Sequence, residues 1–154
     1  MFAGQGAQHP GMGLELYGKS PVAARVFDQA DSILGWSVSE LCFRGTMEEL
    51  TACAHCQPAI FVTSMAEYYA SREGLDSGDS FVAAGGLSLG ELSAVTAAGV
   101  VDFETGLRMV ARRGELMDEC CRRTEGRWPQ SSGATRRCWR GFAASTASMW
   151  PTTT

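Results

Sequence analysis

The sequence predicts an α/β fold with a parallel sheet at its core. A short apolar run, Phe81–Ala84, has no polar alternation and ends in glycine, as is typical of a strand buried on both faces. It leads through Gly86-Leu-Ser-Leu-Gly90 into a small-residue helical pattern that closes at Gly99. A glycine-rich loop at residues 2–8 and several helical patterns come before this strand. The order of loop, helices, strand and helices favours the α/β class, with fewer strands than usual.

Helix signals divide the chain between this loop and residue 125. The pair Ser20-Pro21 supplies a capping serine and a proline at the first helical position, and apolar side chains then keep helical spacing up to Gly35. The remaining helix starts are at Ser37, Thr46, Gln57-Pro58 and Asp102. The helix that opens at Gln57-Pro58 is predicted to run to about Gly74, and the one at Asp102 to about Cys121.

Composition limits the classes of function. The chain has 154 residues and 45% apolar content, enough for one domain with a core. A formal net charge of -4 argues against nucleic acid as a partner. No apolar run is long enough to span a membrane, no signal peptide is evident, and six irregularly spaced cysteines favour a reducing compartment. We therefore expect a cytoplasmic protein that does not bind membranes.

The composition changes abruptly near Glu125. All 17 acidic residues lie in residues 1–125, whereas residues 126–154 contain none and also lack Val, Ile and Leu. A packed core is not built without branched aliphatic side chains, so residues 126–154 are predicted to be an aberrant, disordered tail. The folded unit is predicted to comprise residues 1–125.

The turn around Ser88 is the main candidate for chemistry. A glycine lies two residues before and two residues after Ser88, which is the spacing of a nucleophile elbow. In such an elbow a strained strand-to-helix turn exposes the serine, and the following helix directs free N–H groups towards developing negative charge. The alternative interpretation is a glycine-rich turn with an incidental serine; the flanking strand and helix patterns favour the nucleophile.

Four motifs in order resemble the malonyl-CoA:acyl-carrier-protein transacylases and the related acyltransferase domains of polyketide synthases. They are Gly4-Gln-Gly-Ala-Gln8, Gln57-Pro-Ala59, Gly86-Leu-Ser-Leu-Gly-Glu91 and Arg113-Gly114. The resemblance covers about residues 2–125 and implies part of the large acyltransferase subdomain, with an α/β-hydrolase-like elbow. The family's ferredoxin-like small subdomain is missing from this chain, so the resemblance implies a truncated fold.

The resemblance also implies a reaction and the residues that perform it. Ser88 would attack malonyl-CoA, hold the malonyl group as an ester and pass it to the phosphopantetheine thiol of acyl carrier protein, as in fatty acid biosynthesis. The backbone N–H groups of Leu89 and Gln5 would form the oxyanion hole. Arg113 would bind the free malonyl carboxylate, and Gln57 would line the same pocket. No cofactor is implied, since the partner carries the phosphopantetheine.

The chain departs from the family pattern where a general base is needed. The family's base is a histidine well beyond the elbow, and this chain has only His9 and His55, both before Ser88. Leu87 stands where many members have histidine, and the expected strand before the first glycine loop is lacking as well. Because an unassisted serine is a weak nucleophile, the literal chain is predicted to be an incomplete and inactive version of the enzyme.

A shifted reading frame would account for the composition of the tail. Codons for Arg127 to Gly133 can be chosen so that the neighbouring frame reads Met-Ala-Ala-Val-Ile-Gly, an apolar strand of the kind that the family has there. Residues 147–154 allow a second match in the same frame. We therefore hypothesise that residues 126–154 are an out-of-frame reading, which the underlying DNA sequence would test.

Two other functions stay open at this stage. One is a serine esterase or thioesterase of the α/β-hydrolase class, which shares the elbow but uses water as the acceptor; the Gly4-Gln5-Gly6 loop and Arg113 argue against it. The other is an acyltransferase of the polyketide-synthase type. The residues that would discriminate between acyl groups are not in this chain.

The cysteines have a simpler interpretation as free thiols. The motif Cys53-Ala-His-Cys56 supplies half of a zinc site, but Cys120 and Cys121 are adjacent and ligate poorly together. A redox motif is disfavoured because no βαβ pattern follows it. No metal site is predicted.

Overall fold

The computed structural model describes residues 1–73 and 81–123. In these ranges the chain forms one 3₁₀ turn, Glu49–Thr51, and the following α-helices: α1 (Leu14–Lys19), α2 (Pro21–Leu34), α3 (Val38–Arg44), α4 (Cys53–Arg72), α5 (Leu89–Ala97) and α6 (Phe103–Arg123). None of these helices is long and apolar enough to cross a membrane. The loop predicted at 75–80 and the tail predicted at 126–154 lie outside the described residues.

Local capping signals place most helix starts correctly. The Oγ of Ser20 accepts a hydrogen bond from the N–H of Ala23 at 3.1 Å, and α2 ends at Gly35 with a φ of 73°. At the start of α6, an oxygen of Asp102 accepts a hydrogen bond from the N–H of Thr105 at 2.7 Å. These contacts confirm the helix starts predicted at Ser20-Pro21 and Asp102, since each side chain satisfies an N–H that the first helical turn leaves unpaired.

The predicted start of helix α4 is wrong by about one turn. Helix α4 begins at Cys53 and contains Pro58 in its interior. Asp118 of α6 accepts hydrogen bonds from the N–H groups of Cys53, at 3.0 Å, and Ala54, at 2.8 Å. This carboxylate therefore caps the extra turn. Asp118 lies 65 positions after Cys53 in the chain, so no local sequence pattern could indicate this cap.

Helix α4 lies at the centre of the described residues and packs against α2, α5 and α6. Most of its length is buried, from Cys56 to Val62 without interruption. Phe27 of α2, Leu89 of α5 and Leu107 of α6 are fully buried in the same core. Because α5 begins directly after Ser88, the packing of α5 on α4 fixes the position of the elbow.

The buried strand predicted at Phe81–Ala84 is wrong for the described residues. The segment forms no strand; next to it, the isolated parallel bridge between Phe2 and Gly86 is the only strand-like pairing in the described ranges. Val82 is 99% exposed, and the segment lines an open groove of about 680 Å³ beside Tyr68 of α4. A strand needs successive ladder bonds to a neighbour, and here the ladder has a single rung.

Candidate active site

The turn that carries Ser88 has the strained geometry of an elbow. Ser88 has a φ of 57° and a ψ of -101°, and among the described residues it is the only non-glycine residue with a positive φ. An added Cβ at Gly86 would lie 2.6 Å from the Cα of Gly90, and one at Gly90 would lie 2.6 Å from the carbonyl oxygen of Phe2. Both glycines are therefore required for close approach of the backbone, as the sequence predicted.

Several hydrogen bonds fix the conformation of this turn, in which Ser88 is exposed to solvent. The N–H of Ser88 donates to Glu91 Oε1 at 3.2 Å, and the N–H of Gly90 donates to the carbonyl oxygen of Leu87 at 3.0 Å. The N–H of Phe2 pairs the N-terminal segment with the carbonyl oxygen of Gly85 at 2.8 Å. Ser88 itself is exposed, so its hydroxyl is accessible to a substrate.

Arg113 joins the elbow to helix α4. Its Nη2 donates a hydrogen bond to Ser88 Oγ at 2.7 Å, and its Nη1 donates one to Gln57 Oε1 at 2.7 Å. Gln57 is fully buried, and its Nε2 contacts Met117 Sδ at 2.9 Å. The structure thus brings together three of the residues singled out from the sequence: Ser88, Gln57 and Arg113.

Partial burial lowers the pKa of Arg113, while the neighbouring Cys53, Glu91 and Cys56 oppose this shift. A guanidinium group titrates so far above neutrality that it stays charged here. The group next to Ser88 Oγ is therefore a fixed cation held by a buried amide. It can stabilise negative charge, but it cannot accept the proton of the hydroxyl.

Close packing of α6 on α4 sets the position of Arg113. A Cβ added at the neighbouring Gly114 would lie 2.9 Å from the Cα of Ala54 and would also meet the carbonyl oxygen of Cys53. One turn further along α6, Asp118 caps the same end of α4. Gly114 belongs to the Arg113-Gly114 motif, but its close packing and the cap from Asp118 both depend on contacts between helices, which have no local signal in the sequence.

The glycine loop reaches the elbow, as the motif order suggested. A Cβ added at Gly4 would lie 2.9 Å from the carbonyl oxygen of Leu87. The side chain of Gln5 points to α4, where its Nε2 donates to Cys53 Sγ at 3.4 Å. Within the described ranges, no acceptor is recorded for the backbone N–H of Gln5 or for that of Leu89. Both donors are thus available to a bound group.

The two histidines make contacts elsewhere. His9 Nδ1 lies 3.3 Å from the carbonyl oxygen of Ala7. His55 Nδ1 lies 3.0 Å from the carbonyl oxygen of Glu49, and its ring packs against Trp36. In the part of the chain that the structure describes, Arg113 donates a hydrogen bond to Ser88 Oγ, and neither histidine contacts that oxygen. The described residues therefore bring a serine hydroxyl and a guanidinium group together, with neither histidine in contact with that hydroxyl.

Comparisons with known proteins agree on the family to which these residues belong. Residues 1–127 match the family described as "Acyl transferase domain". The chain is 44% identical over 126 residues to the malonyl CoA-acyl carrier protein transacylase of Bacillus subtilis, with 82% of this chain and 39% of that protein covered. The chain thus spans about two fifths of the length of this relative.

Solved structures give the same result. The malonyl CoA-acyl carrier protein transacylase of Burkholderia pseudomallei matches with a TM-score of 0.68 and 45% identity, covering 78% of this chain and 40% of that one. A malonyl-transacylase solved in complex with its type II PKS acyl-carrier protein matches with a TM-score of 0.72 and 38% identity, covering 77% and 38%. These transacylases have α/β folds, which supports the predicted class, although the described residues here form no strand.

Proposed function

The chain belongs to the acyl transferase domain family, and we propose that its Ser88 accepts a malonyl group from malonyl-CoA and passes it to acyl carrier protein. In the first step Ser88 Oγ attacks the thioester carbonyl, loses its proton and forms a tetrahedral adduct, from which CoA leaves as a thiol after taking up a proton. In the second step the phosphopantetheine thiol of the carrier attacks the malonyl ester and releases Ser88. The chain needs no cofactor of its own for either step.

The oxyanion of the tetrahedral adduct requires fixed donors. The N–H of Leu89, at the start of α5, and the N–H of Gln5, in the loop beside the elbow, are the proposed pair. Their support is that neither has an acceptor among the described residues and that the loop passes close to Leu87. A single donor of this kind typically contributes a factor of about 10²–10³ to the rate.

The contact of Arg113 with Ser88 carries the proposal. A malonyl ester on Ser88 places its carboxylate one methylene beyond the ester carbonyl, within reach of a guanidinium group that already touches Ser88 Oγ. Gln57 fixes one side of that group, so Arg113 is oriented before substrate binds. A simple esterase has no need for a cation at this place, since its substrates carry no second carboxylate. Malonyl transfer therefore explains the site better than ester hydrolysis.

No histidine among the described residues contacts the hydroxyl of Ser88, since the contacts of His9 and His55 lie elsewhere. Arg113 has no lone pair with which to accept the proton of that hydroxyl. We therefore propose that this chain, on its own, forms the malonyl-serine very slowly. Added imidazole should act as a substitute base and accelerate the step, provided that the oxyanion hole and the carboxylate site are formed.

Intact-mass spectrometry tests the proposal. The purified chain is incubated with malonyl-CoA with and without imidazole, and the added malonyl mass is located by peptide mapping. We expect labelling at Ser88 that rises with imidazole and is abolished in Ser88→Ala, which also corrects for direct reaction of imidazole with the thioester. Absence of Ser88 labelling at every imidazole concentration would overturn the proposal.

Acyl selectivity provides a matched pair of variants. Arg113→Met should lower labelling by malonyl-CoA relative to acetyl-CoA by about 10- to 100-fold, because a hydrogen bond to a charged group contributes about 1.5–3 kcal/mol. Arg112→Met is the control, since Arg112 is exposed and pairs with Glu115. Equal selectivity in the two variants would remove Arg113 from the proposed site.

The fate of the acyl group separates transfer from hydrolysis. Holo acyl carrier protein is added to the labelled chain, and malonyl groups on the carrier and in solution are counted. We expect transfer to the carrier to exceed release to water; the reverse result would favour the thioesterase alternative. Because the relatives include both a general transacylase and one paired with a type II PKS carrier, carriers of both kinds belong in the assay.

A further inference from the structure

Two buried cysteines lie one helical turn apart beside the candidate active site. Cys53 and Cys56 occupy the first turn of α4 and are 2% and 0% exposed. Residues three apart on a helix have neighbouring side chains, with Cβ atoms about 5–6 Å apart. A disulfide needs its Cβ atoms only slightly closer than that, so the first turn of α4 can form one with a small local adjustment. Both thiols are free in this structure.

The two thiols have opposite environments. The neighbouring Cys56 thiol and, more weakly, the side chain of Gln5 lower the pKa of Cys53, whereas burial and the Asp118 carboxylate oppose this shift. The same interaction with Cys53, together with burial, raises the pKa of Cys56. Cys53 lies at the N-terminal end of α4, where the Asp118 carboxylate already accepts the N–H groups of Cys53 and Ala54. The pair thus consists of a thiol whose pKa is lowered and a neighbouring thiol whose pKa is raised.

Comparison with Cys42 shows that burial alone does not lower the pKa of a cysteine in this protein. Cys42 is equally buried, but burial raises its pKa to about 12. Cys120 and Cys121 are adjacent in sequence, which prevents an unstrained disulfide between them. Sequence analysis disfavoured a redox role for Cys53-Ala-His-Cys56 because no βαβ pattern follows. The structure supplies the other feature that such motifs use, a helix N-terminus at the first cysteine.

We propose that Cys53 and Cys56 form a reversible disulfide when the protein meets hydrogen peroxide. The Cys53 thiolate attacks one peroxide oxygen and becomes a sulfenic acid, and the released hydroxide takes up a proton to give water. The Cys56 sulfur then attacks the Cys53 sulfur, loses its proton and displaces a second water. The sum is two thiols and one peroxide giving one disulfide and two waters. A small dithiol restores both thiols by exchange.

This reaction couples to the neighbouring site through Gln5 and Arg113. Oxidation removes the thiol that accepts the hydrogen bond from Gln5 Nε2, and the Gln5 loop borders the elbow. Cys53 also acts on Arg113, since its charge, when the thiol is ionised, raises the pKa of that guanidinium group. The inference does not depend on the proposed acyl transfer, because it concerns thiol chemistry that is measured directly.

Peroxide titration of the intact chain tests the inference. The chain is treated with hydrogen peroxide, denatured, alkylated and digested with trypsin, so that Cys53 and Cys56 lie in one peptide, residues 45–72. We expect this peptide to lose two hydrogens, to resist alkylation, and to recover both properties after dithiothreitol. A peptide that stays reduced while Cys120 or Cys121 is oxidised, or an oxidised pair that joins two chains, would overturn the proposal.

Rates and variants sharpen the result. Cys53 should react faster than Cys42, because burial raises the pKa of the Cys42 thiol to about 12 and so leaves very little of it as thiolate near neutral pH. Cys56→Ser should accumulate a Cys53 sulfenic acid that dimedone traps, whereas Cys42→Ser should behave as the original chain. If a variant fails to fold, the peptide map of the original chain still decides.

Discussion

Asp118 is expected to stabilise the candidate site through the backbone of α4. Its two carboxylate oxygens accept the N–H groups of Cys53 and Ala54, which would otherwise be unpaired at the start of that helix. Gln57 lies one turn further along α4, and Arg113 lies on α6 just before Asp118. Replacing Asp118 by alanine should therefore loosen the end of α4 that presents Gln57 to Arg113.

The size of the effect follows from the contacts. Loss of a helix N-cap typically costs about 0.5–2 kcal/mol, and each hydrogen bond to a charged group contributes about 1.5–3 kcal/mol. Asp118 is partly exposed, so water replaces some of what is lost. We expect Asp118→Ala to lower the free energy of unfolding by about 2 kcal/mol and Asp118→Asn, which keeps one acceptor, by about 1 kcal/mol.

Urea unfolding measures these differences. With a slope of about 1–3 kcal/mol per molar, Asp118→Ala should move the midpoint down by about 1 M without a change in slope. Glu115→Ala is the matched control on the same helix, since its exposed pair with Arg112 contributes at most about 0.5 kcal/mol. Hydrogen exchange should show faster exchange at the Cys53 and Ala54 amides. Equal midpoints for Asp118→Ala and Glu115→Ala would refute the capping argument.

Two further predictions concern helix packing and capping. Gly114→Ala should destabilise the fold by about 1–2 kcal/mol in the same urea assay, because overpacking of the new Cβ against the Cys53 carbonyl exceeds the gain in helix propensity. Gly18→Ala is the control: no atom lies within 4 Å of its new Cβ, so this variant should be neutral or more stable. Hydrogen bonds from Thr105 lower the pKa of Asp102. The stabilisation from Asp102 is therefore present above its unfolded pKa and lost as the pH falls below about 4, so Asp102→Asn should flatten the fall in urea midpoint between about pH 5 and 3; an unchanged fall would contradict this.

Sequence reasoning succeeded where the determining contact is local. The cap at Ser20 lies three residues from the N–H that it accepts, and the same holds for Asp102, so both helix starts are visible as short patterns. The elbow glycines were predictable for a similar reason, since Gly86 and Gly90 crowd each other across a single turn. The resemblance to a family then predicted that Gln57, Ser88 and Arg113 lie in one site, which no local sequence pattern could indicate.

Sequence reasoning failed where a distant segment decides the outcome. The start of α4 depends on Asp118, which the chain brings back from 65 positions away. The apolar run Phe81–Ala84 has the composition of a buried strand, yet a strand forms only beside another strand, and the described residues offer Phe2 alone. The hydrophobic pattern of a segment therefore indicates which side chains it could bury in a sheet. Whether the segment forms a strand depends on a neighbouring strand to pair with.

The register of α6 on α4 links stability to the chemistry of the site. Arg113, Gly114, Met117 and Asp118 all contact α4, because Arg113 and Met117, and likewise Gly114 and Asp118, are four residues apart and so are neighbours on the helix surface. A shift of α6 by one residue would turn its side chains by about 100° and move Arg113 away from both Gln57 and Ser88. The close approach at Gly114 and the two hydrogen bonds to Asp118 hold α6 in the observed register, and so they help to determine where the guanidinium group beside Ser88 lies.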